Sequence, residues 1–88
     1  MKLVYPAVLL PFEEGEGYTI TVPDLPGCVS EGSSLADALL MGADAASGWV
    51  LDELEDGKAA PSVSSLNDVA SANPEAIVTY LVLIWILM

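Results

Sequence analysis

Positive charge is the scarcest feature of this 88-residue sequence. Two lysines, Lys2 and Lys58, stand against 13 acidic residues, there is no arginine or histidine, and the formal net charge is −11. Proteins that bind nucleic acids directly neutralise phosphates with lysine and arginine. The composition therefore argues against direct nucleic-acid binding by this chain and favours a basic partner. The same acidity would also suit a solvated surface with no binding role.

Cysteine is almost as scarce. Cys28 is the single cysteine, so an internal disulfide and a cysteine-based metal cluster are excluded, and a reducing compartment, the cytoplasm, is the simplest location. The sequence has no histidine that could activate a thiol nucleophile. We expect Cys28 to be a small buried hydrophobic residue, and the sequence predicts no cofactor, no metal site and no catalytic residue.

Long hydrophobic runs are also missing. The most apolar segment, residues 76–88 (AIVTYLVLIWILM), is too short to cross a bilayer as a helix, which takes about 20 residues. Residues 1–11 resemble a signal peptide only superficially, because Pro6 interrupts the run and acidic residues follow it. With 53% hydrophobic residues, the chain is expected to fold as a single domain over residues 1–88, without a membrane anchor.

Three strands are predicted in the first third of the chain. Residues 1–11 favour a strand in which Pro6 indicates an early or edge position, and the acidic, glycine-containing residues 13–17 suit a hairpin to the next strand. Residues 18–22 alternate between Thr and larger apolar side chains, the pattern of a half-buried strand. Residues 23–27 (PDLPG) predict a stiff corner, after which residues 28–30 return as a short strand.

A long amphipathic helix is predicted over residues 35–56. Ser34 is the expected N-cap, Asp37 completes a capping box, and Gly57 supplies the C′ position. Small residues on the apolar side would let the helix backbone approach a sheet closely. The apolar positions recur at three- and four-residue spacing: Leu35, Ala38, Leu39, Gly42, Ala45, Ala46, Trp49 and Val50.

The last predicted element is a strand in residues 76–88, reached through a loop with at most one helical turn around residues 66–70. Apolar residues occupy both the odd and the even positions of this segment, so both faces of the strand would be apolar, which is typical of a strand covered on both faces. By the rule for crossover connections, this strand would run parallel to the first. The predicted fold is therefore α+β, a β-β-β-α-β partial ribonuclease H-like sheet with one long helix packed on one face.

Residues 18–38 (YTITVPDLPGCVSEGSSLADA) resemble the HicB-type antitoxins of toxin–antitoxin systems. The resemblance extends over residues 1–65 and implies that the chain neutralises a small basic mRNA-cleaving toxin, HicA, by covering its active site. Many members add a C-terminal DNA-binding module that represses their operon, and we expect none in these 88 residues. Further matching positions are Tyr5, Pro6, Ala7, Ala43, Ala46, Trp49, Pro61 and Ser62.

Exposed acids are the candidate contacts for such a toxin, and we hypothesise five of them: Glu13, Glu14, Glu16, Asp24 and Glu31. Asp24 also suits a purely structural role, since it lies between two prolines. One alternative function is that of an orphan acidic module with another protein partner. A metal-dependent nuclease is less well supported, because residues 2–12 and 76–88, the strands expected to carry metal ligands, contain no carboxylate.

Self-association is expected through the apolar strand near the end of the sequence. An unprotected apolar edge strand is otherwise an aggregation hazard. We predict a homodimer or a higher homo-oligomer and take Leu83 and Trp85 as the candidate contact residues.

Overall fold

A four-stranded sheet with the strand order β3-β2-β1-β4 carries the rest of the chain. The computed structural model describes residues 2–84. Four strands and a long helix confirm the predicted α+β class. The elements follow in the order β1 (Lys2–Pro11), β2 (Tyr18–Thr21), β3 (Val29–Gly32), α1 (Leu35–Glu55), α2 (Leu66–Ala72) and β4 (Ile77–Ile84).

The first three strands form the antiparallel meander that the turn residues predict. Pro11 pairs with Tyr18 across the first hairpin, and Tyr18 pairs in turn with Gly32 on β3. The corner between β2 and β3 is closed by a hydrogen bond from the Val22 amide to the Cys28 carbonyl, 3.1 Å long. Gly27 turns the chain there with a φ of 82°, which few other residues tolerate.

The helix α1 begins and ends where its capping residues predict. The Asp37 amide donates to the Ser34 hydroxyl at 3.0 Å, and the Asp37 carboxylate accepts from the Ser33 amide at 2.8 Å. At the other end Gly57 has a φ of 80°, and the Lys58 amide donates to the Glu53 carbonyl at 2.9 Å. Both ends therefore satisfy backbone groups that an uncapped helix leaves without partners.

The main core lies between α1 and one face of the sheet. Paired residues of neighbouring strands share a face, so the pairs Leu9–Ile20, Tyr5–Leu81 and Leu3–Leu83 place their side chains on the same side. Tyr5, Leu9 and Leu83 are fully buried there. The buried residues of α1 repeat every fourth position, as the predicted stripe requires: Ala38, Gly42, Ala46 and Val50.

β4 runs antiparallel to β1, so the predicted parallel direction is wrong. The reason is the second helix. α1 brings the chain back to the end of the sheet where β1 begins, since the Tyr5 hydroxyl donates to the Pro61 carbonyl. α2 then carries the chain to the opposite end, and β4 starts with Ile77 paired to Leu9. The region predicted to form one helical turn is thus a seven-residue helix that reverses the last strand.

Pro6 lies in the first half of β1, which is itself inside the sheet. It is tolerated there because β1 has one neighbour at this point, since the pairing to β2 covers only residues 8–11, and this agrees with the early or edge position expected for it. One further expectation is wrong: β4 is not covered on both faces. Leu81 and Leu83 are buried, whereas Tyr80 and Val82 are 49% and 46% exposed.

α2 covers part of the face of the sheet that α1 leaves open. Val8 is on this face, because the neighbouring Leu9 points into the main core. Val8 and the α2 residue Val69 are both buried outside that core cluster, and α2 contacts β1 and β4. Leu10, at the end of the same face, remains 45% exposed.

α1 also approaches the sheet closely at Gly42. A Cβ atom at this position would lie 2.6 Å from Cδ1 of Ile20, whereas a Cβ at Gly48, on the outer side of the same helix, would meet nothing within 4 Å. Any side chain at Gly42 must therefore push the helix and the sheet apart.

We predict that Gly42→Ala lowers the free energy of unfolding by about 0.5–2 kcal/mol, since the cost of overpacking a core, about 1–3 kcal/mol, is reduced by the gain of about 0.5–1 kcal/mol that alanine has over glycine in a helix. Gly48→Ala is the matched control, and it should raise stability by about 0.5–1 kcal/mol, because alanine favours helix and space is available there. Urea unfolding followed by circular dichroism measures both. Equal effects of the two substitutions would contradict the close packing at Gly42.

Candidate functional site

The turn between β1 and β2 holds three of the predicted toxin-contact residues. Glu13, Glu14 and Glu16 are all exposed there. The turn is held against the neighbouring chain: the Phe12 amide donates to the Gly17 carbonyl at 3.0 Å, and a Cβ at Gly17 would lie 2.5 Å from the Gly32 carbonyl oxygen. The three carboxylates are therefore carried on a well-supported hairpin.

Glu31 joins these acids at the same end of the sheet. It is exposed on β3 and pairs with Thr19, one residue from the strand end that leads into the hairpin. The sheet thus brings together four of the five acids hypothesised as toxin contacts. We call this group, Glu13, Glu14, Glu16 and Glu31, the acidic end.

Asp24 lies away from the acidic end, in the corner at the opposite end of β2. Its carboxylate accepts a hydrogen bond from the Ser64 amide at 2.8 Å and a second from the Ser64 hydroxyl. This contact fastens the loop between α1 and α2 to the sheet. The geometry favours the structural alternative considered for Asp24, because its carboxylate is already engaged within the chain.

Two acids that sequence reasoning missed lie near the acidic end. Asp37 stands in the first turn of α1 and caps it through Ser33 and Ser34. Glu75 precedes β4 and is exposed, at the end of the sheet where Ile77 pairs with Leu9. The sequence predicts Asp37 only as a capping residue and not as a binding residue. The position of Glu75 depends on the antiparallel direction of β4, which the sequence does not predict.

Exposed apolar side chains lie on the first two turns of α1, which begins at the same end of the sheet as the β1–β2 hairpin. Leu35, Leu40 and Met41 are 37%, 71% and 45% exposed. A shallow depression of about 390 Å³ separates this helix start from the hairpin and is lined by Glu16, Tyr18 and Leu35, among others. The sequence carried a signal for Leu40 and Met41, since both fall outside the predicted buried stripe.

Of the two residues predicted for self-association, Leu83 lies within the described part of the chain. Leu83 is fully buried in the core beneath α1, so its side chain is not available to a second molecule. Trp85 lies outside the described residues. If β4 mediates self-association, its exposed side chains, Tyr80 and Val82, are the ones that can take part.

Cys28 is buried in the main core, as predicted. Burial raises the pKa of its thiol, because the charged thiolate loses hydration in apolar surroundings. The residue therefore behaves as a small hydrophobic side chain. Within residues 2–84, no cluster of acidic or cysteine side chains has the arrangement of a metal site.

No helix in the described part of the chain is both long enough and apolar enough to cross a membrane.

Comparison with known proteins decides the family. The model of the HicB-like antitoxins of bacterial toxin–antitoxin systems matches residues 5–88. The chain belongs to this family. The match includes β4 and so reaches beyond the residues 1–65 on which the sequence resemblance rested.

Solved structures share the fold of this HicB-like chain. A chain in a toxin–antitoxin complex from Streptococcus pneumoniae has a TM-score of 0.79 at 19% identity, with 94% of this chain and 69% of that chain covered. The N-terminal domain of the Burkholderia pseudomallei antitoxin HicB has a TM-score of 0.72 at 23% identity, with 97% and 100% covered. At these identities the likeness establishes the fold.

One curated relative is a 14.9 kDa protein from the rep-hol intergenic region of Haemophilus phage HP1, described as uncharacterised. It is 41% identical over 46 residues, which cover 52% of this chain and 35% of the relative. The match thus spans about a third of the phage protein.

Two hydrogen bonds attach the loop after α1 of the HicB-like chain to the sheet. The Tyr5 hydroxyl donates to the Pro61 carbonyl at 2.7 Å, and Asp24 binds Ser64. Burial and, to a smaller extent, the negative charge of Asp24 raise the pKa of Tyr5 above its usual value of 10.0. The neutral hydroxyl is therefore the form that the folded state favours.

We predict that Tyr5→Phe lowers the free energy of unfolding near neutral pH by about 0.5–1.5 kcal/mol, the net value of one hydrogen bond. Because the folded pKa of Tyr5 is raised, its contribution is present below pH 10 and is lost as the pH rises through the folded pKa. The variant should therefore lose less stability on alkaline titration. Urea midpoints measured across this range test both effects.

Tyr80→Phe is the matched control for this prediction. Tyr80 is 49% exposed, so removing its hydroxyl should leave stability within about 0.5 kcal/mol. A Tyr5→Phe protein as stable as the control would show that the hydrogen bond to Pro61 contributes little.

Proposed function

We propose that this HicB-like chain is an antitoxin that binds a small basic HicA-type mRNA-cleaving toxin and covers its active site without modifying it chemically. Membership of the antitoxin family supports the general role. The acidic end supports the nature of the partner, because a protein that holds RNA needs a positive surface. This chain provides the opposite charge.

The observation that carries the proposal is the meeting of charge and apolar surface at one end of the molecule. Leu35 of α1 and Glu16 of the hairpin line the same shallow depression, and Leu40 and Met41 are exposed further along the first two turns of α1. Complementary charges speed the encounter of two proteins, whereas desolvated apolar contacts near the centre of an interface usually set its lifetime. Both components are present at the end of the molecule where α1 begins.

Competing functions have weaker support. A metal-dependent nuclease of ribonuclease H-like architecture would need carboxylates on its first and fourth strands, and neither β1 nor β4 contains one. An orphan acidic module with another protein partner is compatible with the same surface, and the identity of the partner separates it from an antitoxin. Since mRNA cleavage takes place in the cytoplasm, the proposal places the chain there, with no need for nucleic-acid contacts of its own.

The direct test is inhibition of a small basic HicA-type ribonuclease that co-purifies with this chain from its native source. We predict that an equimolar amount of the folded chain stops this small basic protein from cutting RNA, and that the toxin is recovered active and unmodified after denaturing separation. Should RNA be cut equally well with and without a molar excess of the chain, the antitoxin proposal fails. The orphan module then becomes the better account.

Charge reversal at the acidic end tests how the partner is recruited. Replacing Glu13, Glu14, Glu16 and Glu31 by lysine changes the net charge from −11 to −3. We predict that the association rate with a catalytically inactive toxin falls about tenfold or more at low salt, the lower range of electrostatic steering. For the unmodified chain, association should slow as added salt shortens the Debye length from about 30 Å to about 8 Å. Dissociation should change less.

Four acids at the other end of α1 provide a control of equal charge. Replacing Asp52, Glu53, Glu55 and Asp56 by lysine also gives a net charge of −3, and these positions lie at the helix end where positive charge is favourable. Only the 3.9 Å ion pair between Glu53 and Lys58 is lost, which is exposed and of little weight. If the control slows association as much as the acidic-end variant, net charge and not the acidic end guides the toxin.

A further inference from the structure

The two edges of the sheet are built very differently. β3, at one edge, has four residues and carries the charged Glu31. β4, at the other edge, has eight residues, IVTYLVLI, with no charged residue and no proline. Soluble proteins usually protect an exposed edge with charge, proline or short length. β3 has two of these protections and β4 has none.

The outer side of β4 has no partner strand among residues 2–84, since β1 occupies its only paired side. Its backbone therefore presents outward N–H and C=O groups along a strand whose side chains are apolar apart from Thr79 and the Tyr80 hydroxyl. Such an edge is a template for another strand. The strand that pairs with this edge of β4 should therefore also lack charged side chains.

We propose that β4 pairs antiparallel with β4 of a second copy of this chain, joining two four-stranded sheets into one continuous sheet. A two-fold axis through the middle of the strand makes the contact self-complementary, because each copy offers the same sequence to the other. This pairing does not involve the toxin, because two copies of this chain are sufficient to form it.

The distribution of charge favours a second copy over a basic partner at this edge. A basic protein would be drawn to the acidic end, which lies on the β1–β2 hairpin and on β3 at the far edge. Copies with a net charge of −11 repel each other least where acids are few. Glu75 is two residues before the strand, and an axis near Tyr80 keeps the two Glu75 side chains at opposite ends of the contact.

Exposed side chains of β4 extend the proposed contact beyond the backbone. Tyr80 and Val82 lie on the face of the sheet away from α1 and are about half exposed. With the axis near Tyr80, Tyr80 faces Tyr80 of the second copy and Val82 faces its Val78, and aromatic and β-branched cross-strand neighbours stabilise such pairs. The dimer therefore covers apolar surface that the single chain leaves open.

Val82→Lys tests the proposal, with Leu10→Lys as its control. Both residues are exposed to a similar extent, 46% and 45%, on the same face of the sheet, but Leu10 belongs to β1 and lies away from the β4 edge. We expect sedimentation equilibrium to give twice the 9.2 kDa mass for the unmodified chain. Val82→Lys should raise the dissociation constant of the dimer about tenfold or more, because it places a charged side chain among the apolar neighbours of the contact, and Leu10→Lys should leave it within a factor of about two.

The salt dependence of dimerisation gives a second, independent test. Screening reduces repulsion between the two acidic copies, so dimerisation should strengthen with added salt. Toxin association is expected to weaken under the same change. A chain that remains a 9.2 kDa monomer at every concentration and salt level overturns the proposal, and so does equal loss of the dimer in the Val82→Lys and Leu10→Lys variants.

A cross-linking experiment locates the contact even if a charged variant fails to fold. In a Cys28→Ala background, Tyr80→Cys should form a disulfide-linked dimer under mild oxidation, because facing residues of antiparallel strands have Cα separations that suit a disulfide. Val82→Cys probes the neighbouring register, and Leu10→Cys should remain unlinked. Cross-linking at Leu10 equal to that at both β4 positions would place the contact elsewhere and contradict the inference.

Discussion

The close contact between α1 and the sheet is the constraint on which the rest of the structure depends. Ile20 fills the space above Gly42, and the start of α1 lies so near Gly32 that a Cβ there would be 2.2 Å from the Ala38 amide nitrogen. These two contacts fix where the helix begins and how it crosses the strands. As a result, the first turns of α1, with Leu35 and Leu40, are held beside the hairpin that carries Glu13, Glu14 and Glu16.

The distribution of charge then separates two surfaces with different chemistry. The acidic end combines carboxylates with exposed apolar side chains, a combination that suits a basic protein partner. The β4 edge has backbone groups and apolar side chains but no charge, which suits a strand of the same kind. Because the two surfaces lie at different parts of the sheet, a dimer through β4 would leave both acidic ends open to partners.

Local sequence patterns predicted most elements because the interactions that decide them are local. The Ser34 cap, the glycine at position 57 and the corner around Gly27 each depend on a few neighbouring residues, and the resemblance in residues 18–38 indicated the family. The direction of β4 could not be predicted in this way. It depends on how the loop fastened through Tyr5 and Asp24 leads into α2, and these contacts join residues 56 and 40 positions apart.

The same distinction applies to the candidate site. The sequence groups Glu13, Glu14 and Glu16 because one hairpin carries them, and it adds Asp24 and Glu31 because both flank the short third strand. The role of Asp24 is set by Ser64, which no local pattern indicates. Leu40 and Met41 lie outside the apolar stripe of α1. Helical periodicity predicts which side of a helix packs on the sheet, but it assigns no role to the side that remains exposed.

Hydrogen–deuterium exchange of the chain, free and bound to a HicA-type ribonuclease, tests the central claim most directly. If the acidic end and the start of α1 form the binding surface, the toxin should slow exchange in residues 12–18 and 31–41. Exchange in β4 and in the loop at residues 57–65 should stay unchanged. Protection confined to β4 or to that loop, with none at the hairpin, would contradict the account.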